Sequence, residues 1–158
     1  MSSQPTVSVI IPTYNRERLI GRAVQSVLDQ TYADFELIVV DDASSDGTEA
    51  AVRGINDPRI RYLRHERNRG GGAARNTGIE AAKGEYVAFQ DSDDVWHTEK
   101  LARQMPAFTD GRPDLGVVYC AFWQVWEHGK RRVPARGSTG TSGWVQARLL
   151  ERNFVSTQ

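Results

Sequence analysis

Phe35 to Val40 is apolar almost throughout and stops abruptly at Asp41-Asp42. A strand with one face in water alternates apolar and polar residues; one covered on both faces has no reason to. The run therefore predicts a parallel strand buried between helices, with an acidic loop at its carboxyl end. Val7, Val9, Ile10 and Ile11, stopped by Pro12, read as a second strand. Between them Leu19, Ile20, Ala23, Val24, Val27 and Leu28 recur at steps of three and four. That spacing lines one face of a helix of about four turns.

The alternation continues. Ser44, Ser45 and Asp46 are good N-caps for a short helix through Ala50 to Arg53. Asn56-Asp57-Pro58 predicts a turn, and Ile60, Tyr62 and Leu63 a less buried strand. Asn68 to Gly72 reads as a loop, Ala73 to Ala82 as a small-residue helix, and Tyr86 to Phe89 as a fourth strand. A helix over Thr98 to Phe108, a long strand over Leu115 to Trp126, a basic loop over Gly129 to Gly143 and a helix over Gln146 to Glu151 complete the reading. Strands alternating with helices imply an α/β fold, a mostly parallel sheet with helices on both faces. Ligands in such sheets bind beyond the carboxyl ends of the strands. Thr13-Tyr14-Asn15, Asp41-Asp42 and Asp91 to Asp94 all fall there.

Composition narrows the partners. Lys plus Arg equal Asp plus Glu at 20 each in 158 residues, so net charge is zero. A dedicated nucleic-acid binder is usually basic; a polyanionic small ligand needs only a local patch. The single Cys120 excludes a disulfide framework within the chain and fits a reducing compartment. No apolar stretch approaches the about 20 residues of a membrane helix. The N-terminus carries no signal-peptide pattern. The expected location is cytoplasmic, with peripheral attachment at the inner face of the membrane as a variant.

Asp91, Asp93 and Asp94 crowd three carboxylates into four positions. Unpaired, they repel one another. A hard cation such as Mg²⁺ or Mn²⁺ removes that problem, and prefers one or two carboxylates plus phosphate oxygens. The pattern suggests a metal clamp on a phosphorylated ligand; a solvated acidic turn capping the next helix is the competing reading. Asp41 or Asp42 could accept hydrogen bonds from a base or ribose, or cap the following helix. Gly70 to Gly72 with Arg75 joins a permissive loop to a helix start, where backbone N–H groups and a guanidinium can meet an anion. Tyr14 could stack on a planar base or pack on its own loop. Trp96 and His97 could floor a sugar pocket or cap a helix, and His65 has no partner at metal-ligand spacing.

Taken together, these segments resemble the family 2 glycosyltransferases. The resemblance rests on Val7 to Arg16, Gln30-Thr31-Tyr32, Glu36 to Thr48, Gly70 to Gly78 with Ala74-Arg75-Asn76, and Gly84 to Asp94, in order across about residues 7 to 125. It implies a Rossmann-like GT-A fold and a metal-dependent, inverting transfer of sugar from a nucleotide-sugar, with UDP the expected nucleotide, to a saccharide or lipid-linked acceptor. Implied donor-binding residues are Pro12, Thr13, Tyr14, Asn15, Asp41, Asp42, Arg75, Asp91, Ser92 and Asp93, with Asp93 and Asp91 as ligands to Mn²⁺ or Mg²⁺. In this family the general base follows in a later acidic motif. Asn153 to Thr157 resembles the strand before it, so the chain reads as one incomplete domain: a donor half to about residue 125, the start of an acceptor half over 126 to 158, and a base beyond the C-terminus. An exposed edge left that way would favour a homo-oligomer. The alternatives are a non-catalytic nucleotide-sugar-binding fragment and, remotely, a haloacid-dehalogenase-type phosphatase, because Asp91-Ser92-Asp93-Asp94-Val95 also fits D-x-D-x-[TV].

Overall fold

The computed structural model describes residues 4–109 and 115–133. The chain divides between Arg103 and Gln104 into two compact units. The first holds β1 (Val7–Thr13), α1 (Ile20–Leu28), β2 (Phe35–Asp41), α2 (Thr48–Arg53), β3 (Ile60–Arg64), α3 (Gly71–Ala81) and β4 (Tyr86–Phe89). Its four strands are all parallel, in the order β3-β2-β1-β4. β1 pairs with β2 along its whole length, from Val7↔Phe35 to Thr13↔Asp41.

Both central strands are buried at every position, which is why neither shows alternation. Ile10, Ile38 and Val40 face one side and form a core with Ala74 of α3. Val9, Ile11, Leu37 and Val39, on the opposite side by the two-residue period, are equally buried. α1 packs on β1 and on α2 with Ile20, Ala23, Val24 and Val27 inward. α3 owes its close approach to small residues: a Cβ on Gly78 would lie 2.5 Å from Ile10 Cγ2.

Pro12 sits in a central strand, where a missing N–H is normally costly. The register explains why it is tolerated. Gln90 donates its N–H to the Ile10 carbonyl at 3.0 Å, so even-numbered residues of β1 turn their backbone toward β4. The β1–β4 pairing ends at Ile10↔Phe89. The next ladder bond would need a donor on Pro12. Proline thus ends the ladder where the polar loops begin.

The opposite end of the sheet is latched. Ser8 Oγ donates to Glu36 Oε1 at 2.7 Å and accepts the N–H groups of Lys83 and Gly84 at 3.1 and 2.9 Å. Arg61 donates to Glu36 Oε2 and to the Ala81 carbonyl, both at 2.8 Å. Burial raises the Glu36 pKa, but the bonds from Arg61, Ser8 and Lys83 outweigh it and hold the carboxyl below its ordinary range. A Cβ on Gly84 would come within 2.6 Å of Ser8 N and 2.7 Å of Val7 C. Those are backbone atoms of a central strand and cannot give way cheaply. Gly84→Ala is expected to lower stability by about 2–3 kcal/mol, read as a lower urea midpoint at unchanged m-value.

In the remaining described segment, α4 (Lys100–Gln104) and α5 (Pro106–Thr109) replace the single helix expected over Thr98 to Phe108. Pro106 lacks the N–H that continuation requires and opens α5 instead. Of the strand expected over Leu115 to Trp126, only β5 (Phe122–Trp126) forms. It pairs antiparallel with β6 (Gly129–Val133), which lies in the segment expected to be loop. The helix expected over Gln146 to Glu151 and the strand over Asn153 to Thr157 lie outside the described residues.

Candidate donor-binding site

Three loops leave the carboxyl edge of the sheet. The first, after β1, is fastened to the second. Asn15, in the left-handed region at φ 51°, donates its N–H to Ser44 Oγ at 2.9 Å. Its side-chain Oδ1 accepts the Ser45 N–H at 2.9 Å. Arg16 N–H donates to Thr48 Oγ1 at 2.8 Å, and Glu17 Oε2 accepts the Gly47 N–H at 2.9 Å. Asn15 therefore shapes the loop with every group the structure pairs. Tyr14, beside it, is 45% exposed.

Asp41 and Asp42 separate into different roles. Asp41 has no exposed surface. Its Oδ1 accepts the Ser44 N–H at 2.8 Å, its Oδ2 accepts the Tyr62 hydroxyl, and Arg64 lies 3.8 Å away. It supports the loop from beneath and presents no oxygen outward. Asp42 faces the start of α3. It accepts the N–H groups of Arg69 at 2.8 Å and Gly70 at 2.7 Å, and the His65 Nδ1 proton at 2.7 Å. Burial pushes its pKa up; the bonds from His65, Arg69 and Gly70 prevail, and the carboxyl is held below its usual value. Gly70 takes φ 88°, which suits glycine, and no side chain caps α3.

The third loop follows β4. Gln90 is wholly buried and donates to Ser26 Oγ at 3.1 Å and to the Asp94 carbonyl at 3.0 Å. Trp96 N–H donates to the same Ser26 Oγ at 3.1 Å. Gln30 donates to the His97 carbonyl at 2.8 Å and accepts the Leu101 N–H at 3.0 Å. The acidic loop is thus clamped to the last turn of α1. Arg75 of α3 donates to Asp91 Oδ1 at 2.6 Å. Asp93 is half-exposed, with Arg16 at 3.9 Å. Ser92 and Trp96 are buried. Asp94 is driven toward its protonated form by burial and by the charges of Asp91 and Asp93.

Buried polar atoms are almost always paired, so each exception calls for an explanation, a bound water, ion or ligand among them. Six buried side-chain polar atoms lack a partner among the described residues, and five belong to this end of the sheet: Thr13 Oγ1, Arg75 Nε, Gln90 Oε1, Asp94 Oδ2 and Trp96 Nε1. No group of three or more His, Cys, Asp or Glu that could hold a metal stands together among the described residues. Asp91 and Asp93 fit a hard cation that takes one or two carboxylates and fills its remaining positions with phosphate oxygens and water.

Every residue expected at the site lies on this edge. Pro12 is buried within β1 and contributes by ending a ladder. His65 is the residue that the sequence pattern did not reveal. Its ring is buried and bonded to both Asp42 and Thr77.

A parallel sheet with acidic and glycine-rich loops on its carboxyl edge is a Rossmann-like architecture, in which ligands bind beyond the carboxyl ends of the strands. The model of Glycosyl transferase family 2 matches residues 8–153, and the chain belongs to that family. It is 48% identical over 99 residues to the Escherichia coli UDP-Glc:alpha-D-GlcNAc-diphosphoundecaprenol beta-1,3-glucosyltransferase WfgD, covering 63% of this chain and 39% of that protein. It is 46% identical over 104 residues to the putative teichuronic acid biosynthesis glycosyltransferase TuaG of Bacillus subtilis, covering 65% and 41%. The chain thus spans about two-fifths of the length of these curated relatives. Among solved structures, S. aureus TarS 1-349 in complex with UDP matches with TM-score 0.63 and 38% identity, over 68% of this chain and 33% of that one. The mannosyltransferase PcManGT from Pyrobaculum calidifontis, in complex with GDP-Man and Mn²⁺, matches with TM-score 0.68 and 34% identity, over 75% and 36%. The fold is the GT-A type, and the phosphatase alternative falls with the family match.

Proposed function

We propose that this chain supplies the donor-binding part of a glycosyltransferase that moves a sugar from a UDP-sugar to an acceptor hydroxyl with inversion. The observation that carries the reading is the set of unpaired buried polar atoms on one sheet edge, beside Asp91 and Asp93. The UDP complex of TarS and the Mn²⁺ complex of PcManGT support a nucleoside diphosphate and a divalent cation as the ligands.

Tyr14 stacks on the base, and Asp42 accepts a proton-bearing nitrogen of its edge. Thr13 Oγ1 and the Asn15 loop border the same pocket, while Asp41 holds that loop. Arg75 and the uncapped start of α3 face the diphosphate. Asp91 and Ser92 lie toward the ribose, and Asp93 with Asp91 holds Mn²⁺ or Mg²⁺. Bound there, the cation supplies Lewis-acid stabilisation to the departing nucleoside diphosphate. Asp42 and Asp91 are already engaged with donors of their own, so removal of the acceptor proton is assigned to neither. The acceptor is a saccharide or lipid-linked saccharide, the class named for WfgD. No described helix is long and apolar enough to cross a membrane; peripheral contact with the membrane would bring the site to such an acceptor.

Calorimetric titration of UDP, GDP and UDP-glucose, with and without Mn²⁺, tests this. UDP is expected to bind at least about tenfold tighter with Mn²⁺, about 1.4 kcal/mol. Equal affinity in both conditions would overturn the metal-dependent reading.

A further inference from the structure

Both ring nitrogens of the buried His65 are engaged. Nδ1–H donates to Asp42 Oδ1 at 2.7 Å, and Nε2 shares a hydrogen bond with the Thr77 hydroxyl at 2.9 Å. With Asp42 ionised, Nδ1 must carry a proton and donate it. The His65 backbone N–H donates to the Asp41 carbonyl at 2.8 Å, which fixes the base of the ring against β2. His65 is therefore a strut with three attachments: β2, Asp42 and the second turn of α3. Asp42's other two donors, the N–H groups of Arg69 and Gly70, both come from the loop ahead of α3. His65 is the donor that is itself bonded to the Asp41 carbonyl of β2 and to Thr77.

We propose that His65 is the positioning residue that aims Asp42 and thereby sets which base the site accepts. The inference rests on the reading of Asp42 as the acceptor for a base nitrogen. A carboxylate with ionised oxygens only accepts hydrogen bonds. It pairs with a base whose edge carries N–H, such as N3–H of uracil or N1–H of guanine. It repels the bare lone pair on N3 of cytosine or N1 of adenine. Oδ1 of Asp42 already takes two donors and Oδ2 takes one, so Oδ2 keeps a lone pair for a ligand. A lone pair discriminates only if its direction is fixed. Rotation of the carboxylate would let the site turn away from a wrong base at little cost. An apolar side chain could fill the space of His65 without the desolvation that a buried imidazole–carboxylate pair incurs. What the imidazole adds is direction.

The test compares UDP, CDP and inorganic pyrophosphate, each with Mn²⁺, on the unmodified chain and on His65→Ala, His65→Asn and Asp42→Asn, with melting temperatures alongside. His65→Ala is expected to weaken UDP about tenfold, the worth of one charge-assisted bond. It should bring the UDP-to-CDP ratio toward one and leave pyrophosphate unchanged. His65→Asn should recover most of the ratio, because its amide N–H stands where Nδ1–H stood. Equal loss of UDP and pyrophosphate in His65→Ala would mark a merely structural residue and overturn the proposal. If Asp42→Asn loses the preference for UDP while His65→Ala keeps it, the role of His65 falls and the base reading stands. If neither variant changes the preference, or the unmodified chain has none, both fall.

Discussion

Asp93→Ala is expected to remove the Mn²⁺-dependent part of UDP affinity, about 100-fold or about 2.8 kcal/mol, while leaving the melting temperature nearly unchanged. The two expectations have one cause. Asp93 is half-exposed and its nearest cation, Arg16, stands at 3.9 Å. An exposed ion pair of that length contributes little to folding. Its charge also adds to the repulsion on Asp94, whose carboxyl is already raised by burial and by Asp91 and Asp93. Removing Asp93 therefore relieves the folded chain slightly, within about 0.5 kcal/mol. The same position costs binding because a cation that takes only one or two carboxylates from the protein cannot spare one. Calorimetry with and without Mn²⁺, beside a thermal melt, reads both. A variant that binds UDP as the unmodified chain does would remove Asp93 from the metal site.

Why the sheet could be read so well from the sequence follows from its burial. β2 is covered on both faces, and an uninterrupted apolar run has few other uses in a short segment. Parallel pairing then required helices between strands, and α1 declared itself by its spacing. The failures occurred where burial does not decide. β6, Gly-Lys-Arg-Arg-Val, is exposed over most of its length. Its strand form comes from pairing with β5, and charge content hides such a strand. α3 begins at Gly71, two residues before the expected Ala73. Glycine has poor helix propensity, so nothing local marks the start; the Asp42 bonds to Arg69 and Gly70 do, and they come from 27 and 28 residues away.

The site was legible as positions on an edge and illegible as roles. Asp41 and Asp42 are equivalent in sequence. Only the register separates them: Asp41 pairs with Arg64 across β2–β3, which places Tyr62 and Arg64 on its carboxylate. The same register puts His65 beside Asp42. A histidine one step past Arg64 lands one step past Asp41, so the contact follows from the β2–β3 register and not from any spacing along the chain. The polar residues that clamp the acidic loop, Ser26, Gln30 and Gln90, were hidden for a related reason: their partners lie on other elements.

Asp42→Ala is expected to lower stability by about 3–5 kcal/mol at pH 7, the cost of stripping a buried, hydrogen-bonded charge from its partners. The N–H of Arg69 and the Nδ1–H of His65 lose their acceptor at once, and the N–H of Gly70 is left with Asn68 Oδ1 at 3.2 Å. The Nδ1–H of His65 is the most deeply buried of the three. The effect should depend on pH in a stated direction. Burial raises the Asp42 pKa, but the bonds from His65, Arg69 and Gly70 bring the folded value below the ordinary 3.8. A depressed folded pKa means the unfolded chain binds the proton more readily. The contribution is therefore fully present above pH 3.8 and is lost as pH falls through the lower folded value. Urea unfolding of the unmodified chain and Asp42→Ala should show their widest gap near neutrality. The gap should narrow below pH 3.8, where the unfolded chain takes up the proton first, and level off once the native carboxylate is protonated too. A gap that stays constant into acid would mean the loss comes from packing at residue 42 and not from its charge. Asp42→Asn separates the two further. It keeps the size and one acceptor oxygen but turns an N–H against one of the three donors. It should fall between the other two chains at pH 7 and lack the acid-dependent step.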